Sequence, residues 1–202
     1  MNRLLLATNN AGKVREYREL LKNMPAELVT PADEGIKTVV QETGKTFEEN
    51  AVLKATAMAA ESGLVALGDD SGLEVDALDG EPGVMSARYA GEHATDAERI
   101  AYLLSRLKDV PWERRTARFC CVIAIATPAG EVKTCSGECP GIIAFEPKGT
   151  NGFGYDPIFY LPALGRTMAE LPGEIKVQLS HRGRAARKVA GLLRKKPFYF
   201  FK

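Results

Sequence analysis

The sequence predicts an α/β protein built on a mixed β-sheet, and three observations lead there. Strand-length apolar runs alternate along the chain with segments of helical period. Leu4 to Thr8, the loop Asn9 to Gly12 and Lys13 to Met24 make a strand, loop, helix unit at the start. Between Ala117 and Phe145, two β-branched and apolar runs are joined by Thr127-Pro128-Ala129-Gly130, a hairpin turn between antiparallel strands.

Each element has its own signal. Lys13 to Met24 carries Val14, Tyr17, Leu21 and Met24 near one stripe. Thr46-Phe47-Glu48-Glu49 is a capping-box pattern, which opens a helix through an alanine-rich stretch to Ser62, with Gly63 as its stop. Leu64 to Gly68 reads as a strand. Asp69-Asp70-Ser71-Gly72 then interrupts the apolar pattern and Leu73 to Leu78 resumes it, so the two acids are expected at a strand end or tight turn. Asp79-Gly80-Glu81-Pro82-Gly83 is turn chemistry. Thr95-Asp96-Ala97-Glu98 is a second capping box, starting a helix to about Lys108. A glycine-rich loop, Gly149 to Pro157, precedes the short run Ile158 to Leu161. Ser180 can cap a last helix from His181 to about Lys195, with Ala185, Val189, Leu192 and Leu193 inward. With no internal repeat or low-complexity tract, residues 1–202 are expected to fold as one domain.

Composition narrows the function classes. Hydrophobic residues at 45% and charged residues at 26% are ordinary for a globular chain and argue against disorder. The apolar run Leu4 to Ala7 is too short for a signal-peptide core, and no stretch approaches the ~20 residues of a membrane helix, so a cytoplasmic protein without a membrane partner is expected. Four cysteines, at 120, 121, 135 and 139, favour reduced thiols over a disulfide framework. A zinc site is disfavoured, because Cys120 and Cys121 would point to opposite faces of a strand. Residues 166–202 hold ten Lys/Arg against two Asp/Glu, leaving seventeen against twenty-four in residues 1–165. An acidic body with a basic end suits carboxylates that hold a metal and cations that hold phosphates. A solvated basic helix accounts for the same asymmetry.

Four constellations could carry chemistry, and each has a plainer explanation. Thr8-Asn9-Asn10-Ala11-Gly12-Lys13 puts backbone amides, a helix N-terminus and an ammonium together, which suits phosphate. A simple β–α turn with a surface lysine fits as well, since Ala7 and Val14 depart from a P-loop. Glu42 and the pair Asp69-Asp70 could hold Mg²⁺, one carboxylate binding the metal and another accepting a proton from water. Asp69 could instead bond its own backbone in a turn. In Gly152-Phe153-Gly154-Tyr155-Asp156-Pro157, glycines allow close approach to a ligand and an aromatic ring can stack on a base, or the loop simply covers the core. Lys176 and Ser180-His181-Arg182-Gly183 could grip a phosphate or a purine carbonyl oxygen. His181 also reads as an ordinary helix-start residue. With only two histidines, a His-based metal site or a Ser-His-Asp triad has little to work with.

Taken together, these segments resemble the inosine/xanthosine triphosphate pyrophosphatase family over almost the whole chain. The resemblance rests on Thr8 to Lys13, Glu42 to Ala51, Asp69 to Leu73, Pro82 to Tyr89, Gly152 to Phe159 and Ser180 to Gly183, in that order. It implies two lobes around a long mixed sheet, a nucleotide cleft between them, and a homodimer. It also implies Mg²⁺-dependent hydrolysis of ITP, dITP and XTP to the monophosphate and pyrophosphate. By the same resemblance, Thr8, Asn9, Asn10, Ala11, Gly12 and Lys13 hold the triphosphate, while Glu42 and Asp70 serve the metal and Asp70 accepts the proton. Lys54 and Ser71 would contact phosphates, and Phe153 would stack on the base. Gly154, Tyr155 and Asp156 would shape the base pocket, and Lys176, His181 and Arg182 would read the base and its neighbourhood. Hydrogen-bond polarity adds that a donor such as Arg182 can satisfy O6 of hypoxanthine or xanthine. Gln41 stands where the pattern leads one to expect a second Glu, Met85 where it has Tyr, and Pro172 to Lys176 replaces a more acidic run.

Two rival functions remain in view. One is a Maf-like nucleotide pyrophosphatase with another base preference, which Phe153 and His181-Arg182 argue against. The other is a nucleic-acid-binding module using the basic C-terminal helix. The near-neutral net charge of +1 and the acidic motifs disfavour it, so no nucleic-acid partner is expected.

Overall fold

The computed structural model describes residues 2–195. The aromatic tail Pro197 to Lys202, for which docking on the body or a partner was an open expectation, lies outside the described residues. In chain order the main elements are β1 (Asn2–Leu6), α1 (Ala11–Leu20), β2 (Ala26–Val29), α2 (Phe47–Ser62), β3 (Val65–Val75), α3 (Asp96–Arg106), β4 (Thr116–Ala126), β5 (Val132–Ile143), β6 (Phe159–Leu161), β7 (Arg166–Thr167), α4 (Gly173–Leu179) and α5 (His181–Lys195). Hydrogen-bonded neighbours follow the order β2-β1-β3-β4-β5-β6-β7. The sheet is mixed: β1 runs parallel to β2 and β3, and β6 is antiparallel to β5 and β7. The fold class is therefore α/β, as the sequence predicts.

The chain divides into two compact units, the first formed by Met1–Asp70, Cys121–Gly137 and Arg182–Lys202, the second by Ser71–Cys120 and Glu138–His181. In the first unit the strands are buried on both faces, and their side chains alternate between two cores with the period of two that a strand imposes. Leu4, Leu6, Val65, Leu67, Cys121, Ile123 and Ile125 pack with Tyr17 of α1 and Ala185, Val189 and Leu193 of α5. Their neighbours Leu5, Ala66, Ala124 and Ala126 pack with Ala51, Ala55, Met58 and Ala59 of α2. The α2 face is lined with small residues because the helix lies very close to β3: a Cβ on Gly68 would fall 2.3 Å from the carbonyl oxygen of Ala51 and 2.6 Å from the Ala55 nitrogen. The second unit has one core, with Leu73, Val75, Phe119, Ile143 and Phe159 against Ile100, Leu103 and Leu107 of α3.

Local signals placed most helices. Thr46 caps α2 by accepting from the Glu49 amide, and Gly63 closes it. The returning bond of Glu49 goes to the amide of Lys45 instead of Thr46. At α3 both halves of the box are present. Helix α1 starts earlier than expected, at Ala11, because Asn10 caps it by accepting from the Lys13 amide. Strands β2 and β7 and helix α4 were not anticipated; each is four, two or seven residues long, too short for a periodic pattern to declare itself. The expectation that Asp69-Asp70 sits at a strand end or tight turn is corrected: β3 is continuous from Val65 to Val75 with both acids inside it. A strand's ladder uses only the backbone, so buried charges are tolerated there once cations pair with them. All four cysteines are free thiols, with Cys121 in a core of the first unit and Cys139 in that of the second. Among the described residues no helix is long and apolar enough to cross a membrane.

Candidate active site

In the first unit, β3 passes between helices and presents its two adjacent aspartates to different surroundings. The strand period turns Asp69 toward the α1/α5 side and Asp70 toward the α2 side. Asp69 Oδ1 pairs with Lys13 Nζ at 3.1 Å, and Oδ2 receives Arg182 Nε at 3.4 Å. Asp70 accepts a hydrogen bond from Asn50 Nδ2 at 3.0 Å and lies 3.6 Å from Lys54 Nζ. Lys54 also pairs with Glu42. Asn50 and Lys54 are four residues apart on α2, hence on one face, and the close approach over Gly68 brings that face onto the strand.

The two carboxyls are driven in opposite directions. Burial works against ionisation of Asp69, but Lys13, Arg182 and Lys54 outweigh it and hold the carboxyl down to about 2. At Asp70 burial wins over Lys54 and Lys13, with Glu42 adding repulsion, and the carboxyl is raised above its ordinary range. Burial also disfavours the charge on Lys54, yet Asp69, Asp70 and Glu42 raise its pKa and keep it an ammonium. Pairs of acids pushed apart in this way are a mark of divided labour, one as fixed charge and one as proton acceptor.

The polar turn from β1 into α1 belongs to the same unit. Thr8 Oγ1 accepts from the Asn10 amide at 3.2 Å, and Asn10 Oδ1 accepts from the Lys13 amide at 3.1 Å, which fixes the turn from β1 into the helix. Asn9, Asn10 and Ala11 are exposed, and Gly12 and Lys13 half-buried. Helices α2 and α3 have acids in their first turn, whereas α1 has none, so no acid offsets its dipole where an anion would approach.

Glu42 and Asp70 bring only oxygen donors and share the single Lys54 ammonium. Around them four carboxylates, Glu16, Glu42, Asp69 and Asp70, are matched by three cations, Lys13, Lys54 and Arg182. Among the described residues no group of three or more His, Cys, Asp or Glu is arranged as a metal cluster. A hard cation held by one or two carboxylates and completed by phosphate oxygens and water needs no such cluster, so the donor set fits Mg²⁺. Gln41, beside Glu42, is exposed.

The second unit holds the glycine-rich loop. Asp156 Oδ2 accepts from the Phe153 amide at 2.8 Å and from Lys176 Nζ at 2.6 Å, and Lys176 Nζ sits 4.7 Å from the centroid of the Phe153 ring. Gly152 has φ of +82° and a Cβ there would lie 2.1 Å from Asp156 Oδ2, so only glycine fits. Tyr155 is a core residue; its hydroxyl donates to the carbonyl of Ser86 at 2.9 Å, and burial pushes its pKa up. It shapes the loop from beneath. Pro172 to Lys176 forms the first turn of α4, which carries Lys176 into a buried position. His181 is buried, stacked on Phe119 at 4.8 Å between centroids. Ser71 is half-buried in β3, and Met85 is exposed.

Arg182 belongs to the first unit, buried, with its guanidinium on Glu16 Oε2 at 2.5 Å and on Asp69. There it serves as counter-charge to Asp69. Asn50 and Glu16 were missed as site residues, although spacing could have found them: Asn50 lies one turn before Lys54, and Glu16 one turn after Lys13.

A family model described as the Ham1 family matches residues 4–192. The chain is 55% identical over 185 residues to a dITP/XTP pyrophosphatase of Geobacter sulfurreducens, covering 92% of this chain and 93% of that protein. It is 49% identical over 196 residues to a dITP/XTP pyrophosphatase of Escherichia coli O157:H7, covering 96% and 99%. Among solved structures it is similar to a HAM1 protein from Coxiella burnetii, with a TM-score of 0.88 at 44% identity over 96% of this chain and 100% of that one. The Ham1 protein of Staphylococcus aureus gives 0.87 at 42% identity, covering 96% and 100%. With a matching pattern over nearly its full length, and relatives and structures of this similarity, the chain belongs to the Ham1 family.

Proposed function

We propose that this chain is a Mg²⁺-dependent nucleoside triphosphate pyrophosphatase that hydrolyses ITP, dITP and XTP to the monophosphate and pyrophosphate. The observation that supports the reading is the different setting of the two neighbours: Asp69 is locked between Lys13 and Arg182, whereas Asp70 faces Asn50, Lys54 and the Glu42 side, where burial raises its carboxyl above the ordinary range. The names of the relatives, dITP/XTP pyrophosphatases, supply the substrate class.

Lys13, held by Asp69, and the amides at the start of α1 bind and neutralise the triphosphate, and Lys54 and Ser71 add contacts to it. Mg²⁺ held by Glu42 and Asp70 would supply Lewis-acid stabilisation of charge on the phosphate oxygens. Asp70 takes the proton of the attacking water, oriented by the Asn50 amide. Phe153 stacks on the base, with Gly154, Tyr155, Asp156 and His181 fixing the surroundings of that ring. Lys176, beside Phe153, is the donor that matches O6 of hypoxanthine or xanthine, and the 6-amino group of adenine would face it unmatched. Both candidate donors are held by carboxylates, Arg182 by Glu16 and Asp69 and Lys176 by Asp156; Lys176 is favoured over Arg182 because its Nζ lies against the Phe153 ring.

The test is pyrophosphate release from ITP, dITP, XTP, GTP and ATP, with Mg²⁺ and with a chelator. The reading expects ITP, dITP and XTP to be cleaved only with the metal. Orthophosphate as the primary product, or ATP cleaved as fast as ITP, would refute it.

A further inference from the structure

The base-stacking residue Phe153 lies between Gly152 and Gly154, so nothing in its immediate sequence restricts the backbone that aims its ring. The restriction comes from two carboxylates. Asp156 accepts the Phe153 amide at 2.8 Å, and Asp96, fifty-eight residues away in sequence, accepts the Gly154 amide through Oδ2 at 2.7 Å. Asp96 is the first residue of α3, where an acid is ordinarily explained by the helix end. That explanation is already used up here, because Thr95 accepts the Glu98 amide at 3.2 Å and Glu98 accepts the Thr95 amide at 2.7 Å. The second oxygen of Asp96 pairs with Arg99, one turn on, and Arg99 is itself tied to the carbonyls of Ala87 and Ala94. The carboxylate is thus fixed from behind and directed at the loop.

We propose that Asp96 is a positioning residue for base recognition: it pins the Gly154 amide and thereby sets the Phe153 ring against Lys176. The inference rests on the base-stacking role given to Phe153 above. Asp96 bonds the Gly154 amide and Arg99, both in the second unit, and is given no part in proton transfer. Its loss frees the Phe153–Gly154 backbone and weakens ground state and transition state alike, which raises KM and leaves kcat in place.

The experiment is steady-state pyrophosphate release from ITP by the wild type, Asp96→Ala and Asp96→Asn. A hydrogen bond to a charged acceptor leads to an expected rise in KM of about tenfold or more for Asp96→Ala, with kcat within about twofold. Asp96→Asn keeps an acceptor oxygen and should recover most of the loss. An unchanged KM in an active Asp96→Ala enzyme overturns the proposal, as does a fall in kcat as large as the fall in kcat/KM. A wild type that releases no pyrophosphate from ITP overturns the parent reading, and this one with it; an active wild type with an indistinguishable Asp96→Ala overturns this one alone.

Discussion

Replacing each of the adjacent aspartates by asparagine should separate stability from catalysis. Asp69 has its carboxyl lowered from 3.8 to about 2. By linkage this contributes about 2–3 kcal/mol of stability at neutral pH. The pKa is depressed in the fold, so the contribution is fully present above the unfolded value of 3.8 and is lost as pH falls toward 2. Asp69→Asn also leaves Lys13 and Arg182 without their shared counter-charge, and breaking a buried ion pair costs about 3–5 kcal/mol. Asp70 is the reverse case. Its carboxyl is raised, so the ionised form opposes folding and that cost grows as pH rises through the folded value. Asp70→Asn therefore costs less than about 1 kcal/mol, or stabilises, while the loss of a proton acceptor lowers kcat by about 10²–10⁴-fold. The assay is urea unfolding from pH 2 to pH 7 beside pyrophosphate release. Equal destabilisation by the two substitutions, or near wild-type kcat in Asp70→Asn, would refute the reasoning; so would a gap between wild type and Asp69→Asn that does not narrow below pH 3.8.

Two further substitutions probe how the site is assembled. Gly68→Ala places a Cβ 2.3 Å from the Ala51 carbonyl oxygen, and since both partners are backbone, α2 must move off β3. A loss of about 2 kcal/mol or more is expected in thermal or urea unfolding, together with reduced turnover, because Asn50 and Lys54 ride on that helix. Asn50→Ala removes the donor to Asp70 and the acceptor of the Gly44 amide at 2.8 Å, releasing the loop that carries Glu42. It should lower kcat about tenfold or more and raise the Mg²⁺ concentration needed for half-maximal rate, the latter read by metal titration.

Much of the site was legible in the sequence because its parts are local. Asn10 and Lys13 lie within one turn, and so do Glu42 and Gly44, Phe153 and Asp156, the cap at Thr46 and the capping box at Thr95. What was not legible depended on partners far along the chain. Asp69-Asp70 looked like a turn because two acids break an apolar run; Lys13, Lys54 and Arg182, which make them tolerable inside a strand, come from residues as far as 113 positions away. The partners of Arg182, Glu16 and Asp69, were not legible either, because its motif says nothing of them. Asp96 read as helix punctuation because the Gly154 amide it serves is invisible from the N-terminus of a helix.

The sequence by itself determined the α/β class, the capped helices, the family resemblance and the residues that could act. Tertiary structure decided which of two identical neighbouring side chains is held ionised and which is raised above its ordinary range. The reason is the strand's period of two: it turns Asp69 toward Lys13 and Arg182, and Asp70 toward Asn50 and Lys54. Only packing sets which cations wait on each face, and that sets the ionisation of each carboxyl.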